Sequence, residues 1–536
     1  MPEPYLQGWR LSIVTLSILL SMLLVNIEVS VTGTALPSIS NDLHGFNQSG
    51  WIVAGYMVSY TSTLIIWCKI SDIFGRKTTI IFALAIFAAF SGGCGAAQTN
   101  TQLIACRVLQ GVGAAGCIAL PITITYEMVP RHKYPLYGAL VSTSNALGSL
   151  TGPLIGGGIS ERSTWRWIFL LNVPAALLAI LFFSISLPRH FPHHGQTPHL
   201  SSSGHERLRI GTLSRLDFVG AFLLLAASML LVTVLLGAGN EFAWNSATTI
   251  ACLTISGLLW SLLVANERLI TVKDLPQEPL FPWRFVRNRI WMGTLFVSLF
   301  SGVPYNILVV DLPQRFQLVN NMSPLTSGVR LIPFNLLVSL GGILVSMLAA
   351  KARTPPIFLM LAGSTMQLLG VLLFAYALPS NGTLPAAIYG YEILLGCGIG
   401  FMFGICVLIP PHVVERQDVG VSSGALLQFR IFGGALGLAI GSSIMNNYLA
   451  RNLSKIISAE DLSKLLHSAT SSESFPPNFQ QKIKLAFAQS YSLQMKVLVV
   501  FAVLQFLAVA ILWKSPQIMI VQPKESNKSG RVIEKK

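Results

Sequence analysis

The sequence contains little charge. Of its 536 residues, 11% are Asp, Glu, Lys or Arg, against about 25% in a typical soluble domain, while 52% are hydrophobic. A soluble fold cannot bury that much apolar surface, so lipid is the expected solvent. The sequence also lacks a metal-ligand cluster, a phosphate-binding loop and a Ser-His-Asp pattern. We therefore expect no enzyme, no metal and no cofactor.

Cysteine and acidic residues are also scarce. The 7 cysteines fall within or at the edges of apolar stretches without paired spacing, which indicates packing residues and not disulfides. The 21 Asp and Glu are outnumbered by 36 Lys and Arg. These basic residues concentrate in segments that alternate to one side of the apolar stretches. This asymmetry predicts that both termini are cytosolic, and it indicates anionic lipid, not nucleic acid, as the partner of the basic charge.

What the sequence does contain is about fourteen apolar stretches between Leu11 and Trp513. Each has roughly the 20 residues that a helix needs to cross a bilayer core of about 30 Å. The first, over 11–36, is too long for a signal-peptide core and is expected to remain as a transmembrane helix. The chain is therefore predicted to be an all-α, multi-pass membrane protein that functions as a monomer in the lipid bilayer.

Three polar segments interrupt this pattern. A linker over 188–215, rich in His, Pro and Ser, is predicted to be cytosolic; its histidines can bind metal, but a solvated linker is favoured. An exterior loop over about 447–492 is predicted to carry amphipathic helices, and a basic tail over 514–536 to be cytosolic. Four N-x-S/T sites lie in segments predicted to be exterior and are expected to be glycosylated. They are Asn47, Asn321, Asn381 and Asn452.

Two opposite charges lie deep within apolar stretches. Glu28 lies about 12 Å and Arg107 about 9 Å below the outer boundary of their spans, at about 1.5 Å per residue. Intramembrane charge is costly and suggests function. The similar depths allow the two side chains to pair, and a conformational change that separates them would load or release a proton. The alternative is a permanent ion pair that only locks the bundle. Glu28 and Arg107 are thus the predicted proton-coupling residues.

A dense turn, Asp72-Ile73-Phe74-Gly75-Arg76-Lys77, separates the second and third spans. Gly75 allows a tight turn, and the charges of Asp72, Arg76 and Lys77 can latch one conformation by pairing with a neighbouring helix end. The turn also fits a positive-inside loop that sets topology, and the two interpretations are compatible.

The fifth span contains Gly148, Gly152, Pro153, Gly156 and Gly157. Small residues at four-residue spacing allow close helix approach, and proline adds a kink. We predict that this helix is a hinge between two halves of the molecule, with ordinary small-residue packing as the alternative.

Further polar residues lie within spans. Gln110 and Glu392 are candidates for substrate contact. Asp311 is expected to be solvated near the outer edge, and Arg430 to extend toward the cytosolic surface from the thirteenth span.

Seven segments resemble the major facilitator superfamily, in its fourteen-span drug:proton antiporter branch of fungal type. They are 28–37, 68–77, 107–113, 148–157, 165–174, 312–317 and 429–435. Glu28 stands where this branch usually has Asp, which preserves the carboxylate. The resemblance implies two six-helix bundles, over 1–187 and 266–513, with an inserted helix pair over 216–265. It also implies alternating access by rocking of the bundles about a central cavity.

The resemblance implies a proton-coupled efflux transporter that exports a small amphipathic toxin, secondary metabolite or drug. The proton gradient drives it without a cofactor, and the plasma membrane is its expected location. A vacuolar transporter of basic amino acids is the nearest alternative and would require acidic groups in the cavity. A membrane sensor that transports nothing is a more distant one.

Overall fold

The computed structural model describes most of the chain. The described residues are 5–43, 49–189, 191, 217–237, 243–273, 277, 279–351, 354–379, 382–415, 418–453, 476–515, 517 and 519. The helices of the first part are α1 Gly8–Asp42, α2 Ser49–Phe74, α3 Arg76–Ala96, α4 Asn100–Met128, α5 Tyr134–Arg162, α6 Arg166–Leu170, α7 Asn172–Ser186, α8 Phe218–Gly237 and α9 Ala247–Val272. Those of the second part are α10 Trp283–Arg287, α11 Arg289–Leu318, α12 Pro324–Arg330, α13 Ile332–Lys351, α14 Pro356–Leu372, α15 Ile388–Leu408, α16 Pro410–Val413, α17 Val419–Leu453 and α18 Pro477–Ile511.

Within these described ranges, thirteen helical segments are long and apolar enough to cross a membrane. The glycine-rich α5, 29 residues long, is not one of these thirteen segments, but it packs along α1 and α13, which are. The protein is therefore a multi-pass membrane protein. This confirms the predicted all-α fold class, and about fourteen spans is consistent with the thirteen segments found.

The helices form two halves with the same internal pairing. In the first half, α2 packs on α4 and α1 on α5; in the second half, α13 packs on α15 and α11 on α17. The two halves meet along two seams, α2 against α17 and α5 against α13. The pair α8 and α9 lies outside one seam, where α8 contacts both α2 and α17.

The end of the bundle at which α1 begins and α18 ends is called here the terminal face. The backbone N–H of Leu6, before α1, donates to the carbonyl of Met128 at the end of α4, at 3.1 Å. Arg289, at the start of α11, donates to the carbonyl of Trp513, after α18, at 2.9 Å. The two termini of the transmembrane bundle therefore lie next to helix ends of their own halves.

Several predicted boundaries differ from the observed ones. The exterior loop expected over about 447–492 is shorter, because α17 continues to Leu453 and α18 already begins at Pro477. The second inserted helix extends to Val272, beyond the predicted 265. Hydropathy marks the apolar part of each helix, whereas these helices continue with polar residues past it. The predicted linker over 188–215 and tail over 514–536 lie mostly outside the described residues.

Candidate functional site

Glu28 of α1 and Arg107 of α4 form an ion pair inside the first half. Their side chains are 1% and 0% exposed, and Arg107 Nη1 donates to Glu28 Oε1. The similar depths expected from the sequence thus correspond to direct contact. A buried ion pair withstands its desolvation cost only when further hydrogen bonds satisfy both partners.

Asn172, which was not among the predicted site residues, supplies one of those bonds. Its Nδ2 donates to Glu28 Oε2. The sixth span is broken into α6 and α7 at Leu171, next to Pro174, which has no N–H to donate to the carbonyl of Leu170. The break places Asn172 at the start of α7, beside the carboxylate. The sequence shows an Asn two residues before a Pro within an apolar span, but not the contact that the helix break creates.

Arg107 is held in place from three further directions. Its Nε donates to the carbonyl of Ile52 at 3.1 Å, its Nη1 to Gln110 Oε1 at 2.8 Å, and its Cζ lies 4.3 Å from the ring centroid of Tyr56. Gln110 in turn donates from Nε2 to Ser91 Oγ at 2.8 Å. Gln110 therefore fixes Arg107 and is not part of the described lining of the central cavity, and its expected contact with substrate stays a prediction.

The central cavity lies between the two halves. Its described lining from the first half is Met22, Asn26, Tyr60, Ile118, Ile122, Tyr126, Val141 and Asn145. The lining from the second half is Ser298, Phe403, Cys406, Val407, Ser423, Leu426, Leu427 and Arg430. The volume is about 70 Å³, well below the roughly 300–1,000 Å³ of typical ligand pockets. The two halves therefore have to separate before the cavity can hold an organic molecule that fills a typical ligand pocket.

Two stacked tyrosines connect the ion pair to this cavity. Tyr56 lies against the guanidinium of Arg107, and its ring stacks on Tyr60 with centroids 5.9 Å apart and planes 9° apart. Tyr60 lines the cavity one helical turn further along α2. One face of α2 thus contacts Arg107 through Tyr56 and lines the cavity through Tyr60.

Arg430 is in a different place from the one expected. Instead of extending toward the membrane surface, it lines the central cavity, with its Cζ 4.3 Å from the ring centroid of Phe403 in α15. No ion pair involving Arg430 occurs among the described residues. Hydropathy missed this position because α17 is apolar on several faces, so composition does not show which face points inward.

At the terminal face, the predicted latch residues take two different roles. Arg76 forms an ion pair with Asp72 and a two-point contact with Glu127 of α4, Nη2 to Oε1 at 2.6 Å and Nε to Oε2 at 2.9 Å. Lys77 instead donates to the carbonyls of Ser184 and Leu187 at the end of α7, at 2.6 and 2.7 Å. The Arg76 cluster therefore includes a carboxylate, Glu127, that sequence analysis did not assign to it.

The backbone and a helix end complete this cluster. Gly75, between α2 and α3, adopts a φ angle of +90°, a backbone conformation that residues other than glycine rarely adopt. A Cβ atom at Gly420, in the first turn of α17, would lie 3.0 Å from Thr123 Cγ2 and 3.8 Å from Arg76 Nη2. Two carboxylates and one guanidinium carry a net negative charge, which suits the positive N-terminal end of α17. The cluster thus lies where the two halves touch.

A second contact joins the halves nearby. The hydroxyl of Tyr126, near the end of α4, donates to the carbonyl of Val407, near the end of α15. Asp418, just before α17, accepts a hydrogen bond at Oδ1 from Nη2 of Arg284, at 2.8 Å. Burial raises the pKa of Asp418 above its usual range, while the hydrogen bond and charge of Arg284 and the charge of Lys69 act in the opposite direction. Because Lys69 belongs to α2, its charge acts on Asp418 across the two halves.

The glycine-rich α5 packs closely on α1. A Cβ atom at Gly148 would lie 2.5 Å from Cβ of Asn26, and Asn26 Nδ2 donates to Asn145 Oδ1 at 2.8 Å. Gly152 and Gly156 are buried as well. Pro153 and Gly157 lie in the same continuous helix. Whether α5 acts as a hinge stays a prediction.

The other carboxylates lie away from the cavity. Glu392, expected as a substrate contact, is fully buried in the second turn of α15, about 16 Å along the helix from the cavity residue Phe403 at about 1.5 Å per residue. Its expected contact with substrate stays a prediction. Asp311 was expected to be solvated, but it is only 8% exposed. Gly441 of α17 packs against its carboxylate.

The expected glycosylation sites take different positions. Asn321 lies in the turn between α11 and α12 with φ +52°. Asn452 lies in the last turn of α17, not in a loop, and donates to the carbonyl of Tyr448 at 2.8 Å. Asn47 and Asn381 lie outside the described residues. Glycosylation stays a prediction for all four.

Comparison with known proteins identifies a family. The model of the Major Facilitator Superfamily matches residues 18–438. The MFS-type transporter FPY5 of Fusarium mangiferae is 37% identical over 508 residues, which cover 95% of this chain and 84% of that protein. The efflux pump FUS6 of Gibberella fujikuroi is 27% identical over 459 residues, covering 85% of this chain and 79% of that protein.

A solved structure has the same fold. It is that of a bacterial homologue of the human lysosomal transporter Spinster, in an inward-facing and unoccupied conformation, with a TM-score of 0.59 and 15% identity. The similarity covers 95% of this chain and all of that one.

Proposed function

The chain belongs to the major facilitator superfamily of transporters, and from this premise we propose that it is a proton-coupled antiporter that exports small amphipathic organic molecules. The observation that carries this proposal is the buried pair of Glu28 and Arg107, which lies beside the central cavity and is fixed by Asn172 and Gln110. An ionisable pair inside a membrane bundle, linked to a cavity between two mobile halves, is suited to coupling a proton to transport.

In the proposed cycle, Glu28 carries the proton and Arg107 controls when it is held. Protonation of Glu28 removes the charge that attracts Arg107 and frees α1 from α4. Because α1 and α2 both line the cavity through Asn26 and Tyr60, their movement changes the cavity wall. Proton entry from the acidic exterior then accompanies substrate exit, and no cofactor is required.

The cavity supports export of poorly water-soluble molecules. Its lining is mostly aliphatic and aromatic, which suits binding of varied apolar bodies, and relatives are named as efflux pumps. No Asp or Glu occurs in the described lining, and this disfavours the alternative of basic amino acids as substrates. We place the protein in the plasma membrane as a monomer with both termini in the cytosol.

Purified protein in sealed vesicles tests the proposal. An imposed proton gradient is expected to drive lipophilic probes in the direction opposite to the proton, and Glu28→Gln is expected to abolish this movement while the protein remains folded. Glu415→Gln is the matched control, since this glutamate is exposed, 61% at the side chain, and lies outside the site. An exposed ion pair contributes little to stability, so the control should transport normally.

Two results would contradict the proposal. Full proton-driven transport by Glu28→Gln would remove Glu28 from the coupling mechanism. Movement of lysine or arginine alone would instead favour the vacuolar transporter of basic amino acids.

A further inference from the structure

We propose that Arg430 is the anion-binding residue of the central cavity, and that the exported molecules are amphipathic organic acids. Their class is an apolar, aromatic or hydrocarbon body that carries a carboxylate or another ionised acidic group. The inference rests on the proposed export function and narrows its substrate class.

The charge of the cavity is of one sign. Arg430 is the charged side chain of the described lining, which contains no Asp or Glu. Arg76 and Arg107, by contrast, each contact a carboxylate of the protein itself. The cavity therefore presents a cation without a protein counterion among the described residues, and an anion is the complementary ligand.

The surroundings of Arg430 do little to offset its charge. Its guanidinium lies 4.3 Å from the ring centroid of Phe403, and such a cation–π contact is weaker than an ion pair with a carboxylate. Arg430 is half-buried, and a charge held partly away from water inside a bundle is stabilised by an anionic partner. A bound carboxylate would supply the missing partner and two acceptors that match the planar fork of an arginine.

Most of the other polar side chains of the lining already take part in hydrogen bonds within the protein. The hydroxyls of Ser298, Ser423 and Tyr126 each donate to a backbone carbonyl, and Asn26 binds Asn145. These groups have little capacity left to donate to a ligand. Arg430 is the charged donor of the described lining, and its charge is what distinguishes an acid from a neutral molecule of the same shape.

The apolar part of the lining is suited to the body of such a molecule. Ile118 and Ile122 of α4, Leu426 and Leu427 of α17, and Tyr60 of α2 all line the cavity. A ligand that binds Arg430 through its acidic group would place its apolar body between these side chains. The two halves would then contact the same molecule, as alternating access requires.

Equilibrium binding to the purified protein in detergent tests the assignment. The probes are pyrenebutanoic acid, its methyl ester and pyrenebutylamine, which share one body and differ in the charge of the head group. Fluorescence anisotropy gives each dissociation constant. The unmodified protein is expected to bind the acid more tightly than the ester and the amine.

Three variants identify the responsible residue. Arg430→Gln is expected to weaken acid binding by about tenfold or more, since a hydrogen bond to a charged group contributes about 1.5–3 kcal/mol, and to change ester binding by less than about twofold. Arg430→Lys keeps the charge but not the fork, so an intermediate loss is expected. Arg451→Gln is the matched control, because Arg451 is exposed in the last turn of the same helix.

Unchanged acid binding by Arg430→Gln would overturn the assignment. Equal loss of acid and ester binding would also overturn it, because Arg430 would then only support the fold. Should Arg430→Gln not fold, Arg430→Lys decides by the same comparison. If no probe moves with the proton gradient in vesicles, the proposed transport function fails, whereas the binding measurement still decides whether Arg430 selects anions.

Discussion

At the scale of single residues, two buried carboxylates show how differently this protein treats charge. Glu28 receives hydrogen bonds from Arg107 and Asn172. Asp311, which is also buried, has an Oδ2 atom without a hydrogen-bond partner among the described residues. A buried acceptor without a partner costs about 1–3 kcal/mol. The surroundings of Glu28 are thus arranged to hold an ion, and those of Asp311 are not.

The geometry of Arg107 leads to a prediction. Arg107→Lys keeps the positive charge but cannot reach Glu28, Gln110 and the carbonyl of Ile52 at the same time, because lysine is a point charge without a planar fork. We expect proton-driven transport to fall about tenfold or more, equivalent to about 1.4 kcal/mol or more, while the protein still purifies in folded form. Initial rates in sealed vesicles measure this effect.

The control for that variant is Arg166→Lys. Arg166 pairs with Asp42 at 2.9 Å near the surface, with side chains 32% and 51% exposed, and such pairs contribute little. Its rate should match that of the unmodified protein. Equal rates for Arg107→Lys and the control would show that charge alone at Arg107 is sufficient.

At the scale of elements, α1 and α5 are joined so closely that their movements are coupled. The contact at Gly148 leaves no room for a side chain beside Asn26. Asn26 lines the cavity, and Glu28 lies two residues further along the same helix. If α5 moves, α1 has to move with it, and this shifts both Asn26 in the cavity lining and Glu28 in the ion pair.

Gly148→Ala tests this coupling. A helix ordinarily gains about 1 kcal/mol when Gly becomes Ala, but here the new Cβ would lie 2.5 Å from Cβ of Asn26, and overpacking costs about 1–3 kcal/mol. We expect a lower melting temperature in detergent and slower transport. In the matched variant Gly257→Ala the new Cβ meets nothing within 4 Å, so its stability should be unchanged or higher. A melting temperature for Gly148→Ala as high as that of the control would contradict tight packing.

At the scale of the whole molecule, the helices were predictable because every span in lipid must be apolar along its length. The contact of Glu28 with Arg107 was also predictable, since depth follows from residue number along a helix. The positions of Asn172 and Arg430 were not. The first depends on a helix break, and the second on which face of an apolar helix points inward.

The alternating movement of the two halves gives the last prediction. The seam between α2 and α17 passes through Gly424, where a Cβ atom would lie 2.8 Å from Sγ of Cys68, a free and buried cysteine. The single substitution Gly424→Cys should therefore form a disulfide with Cys68 on oxidation, since disulfide geometry requires such proximity. Both residues lie near the terminal face, so the bond would hold the halves together there.

We expect the oxidised Gly424→Cys protein to lose transport and to recover it on reduction. A protease site inserted into the predicted linker over 188–215 reveals the bond, because the cleaved halves stay joined on a non-reducing gel and separate on a reducing one. Gly424→Ser controls for the added volume, and Gly424→Cys combined with Cys68→Ser removes the partner thiol. Both controls should transport equally with and without oxidant. Normal transport by fully cross-linked protein would mean that α2 and α17 stay in contact at the terminal face throughout the cycle, which rocking of rigid halves does not allow.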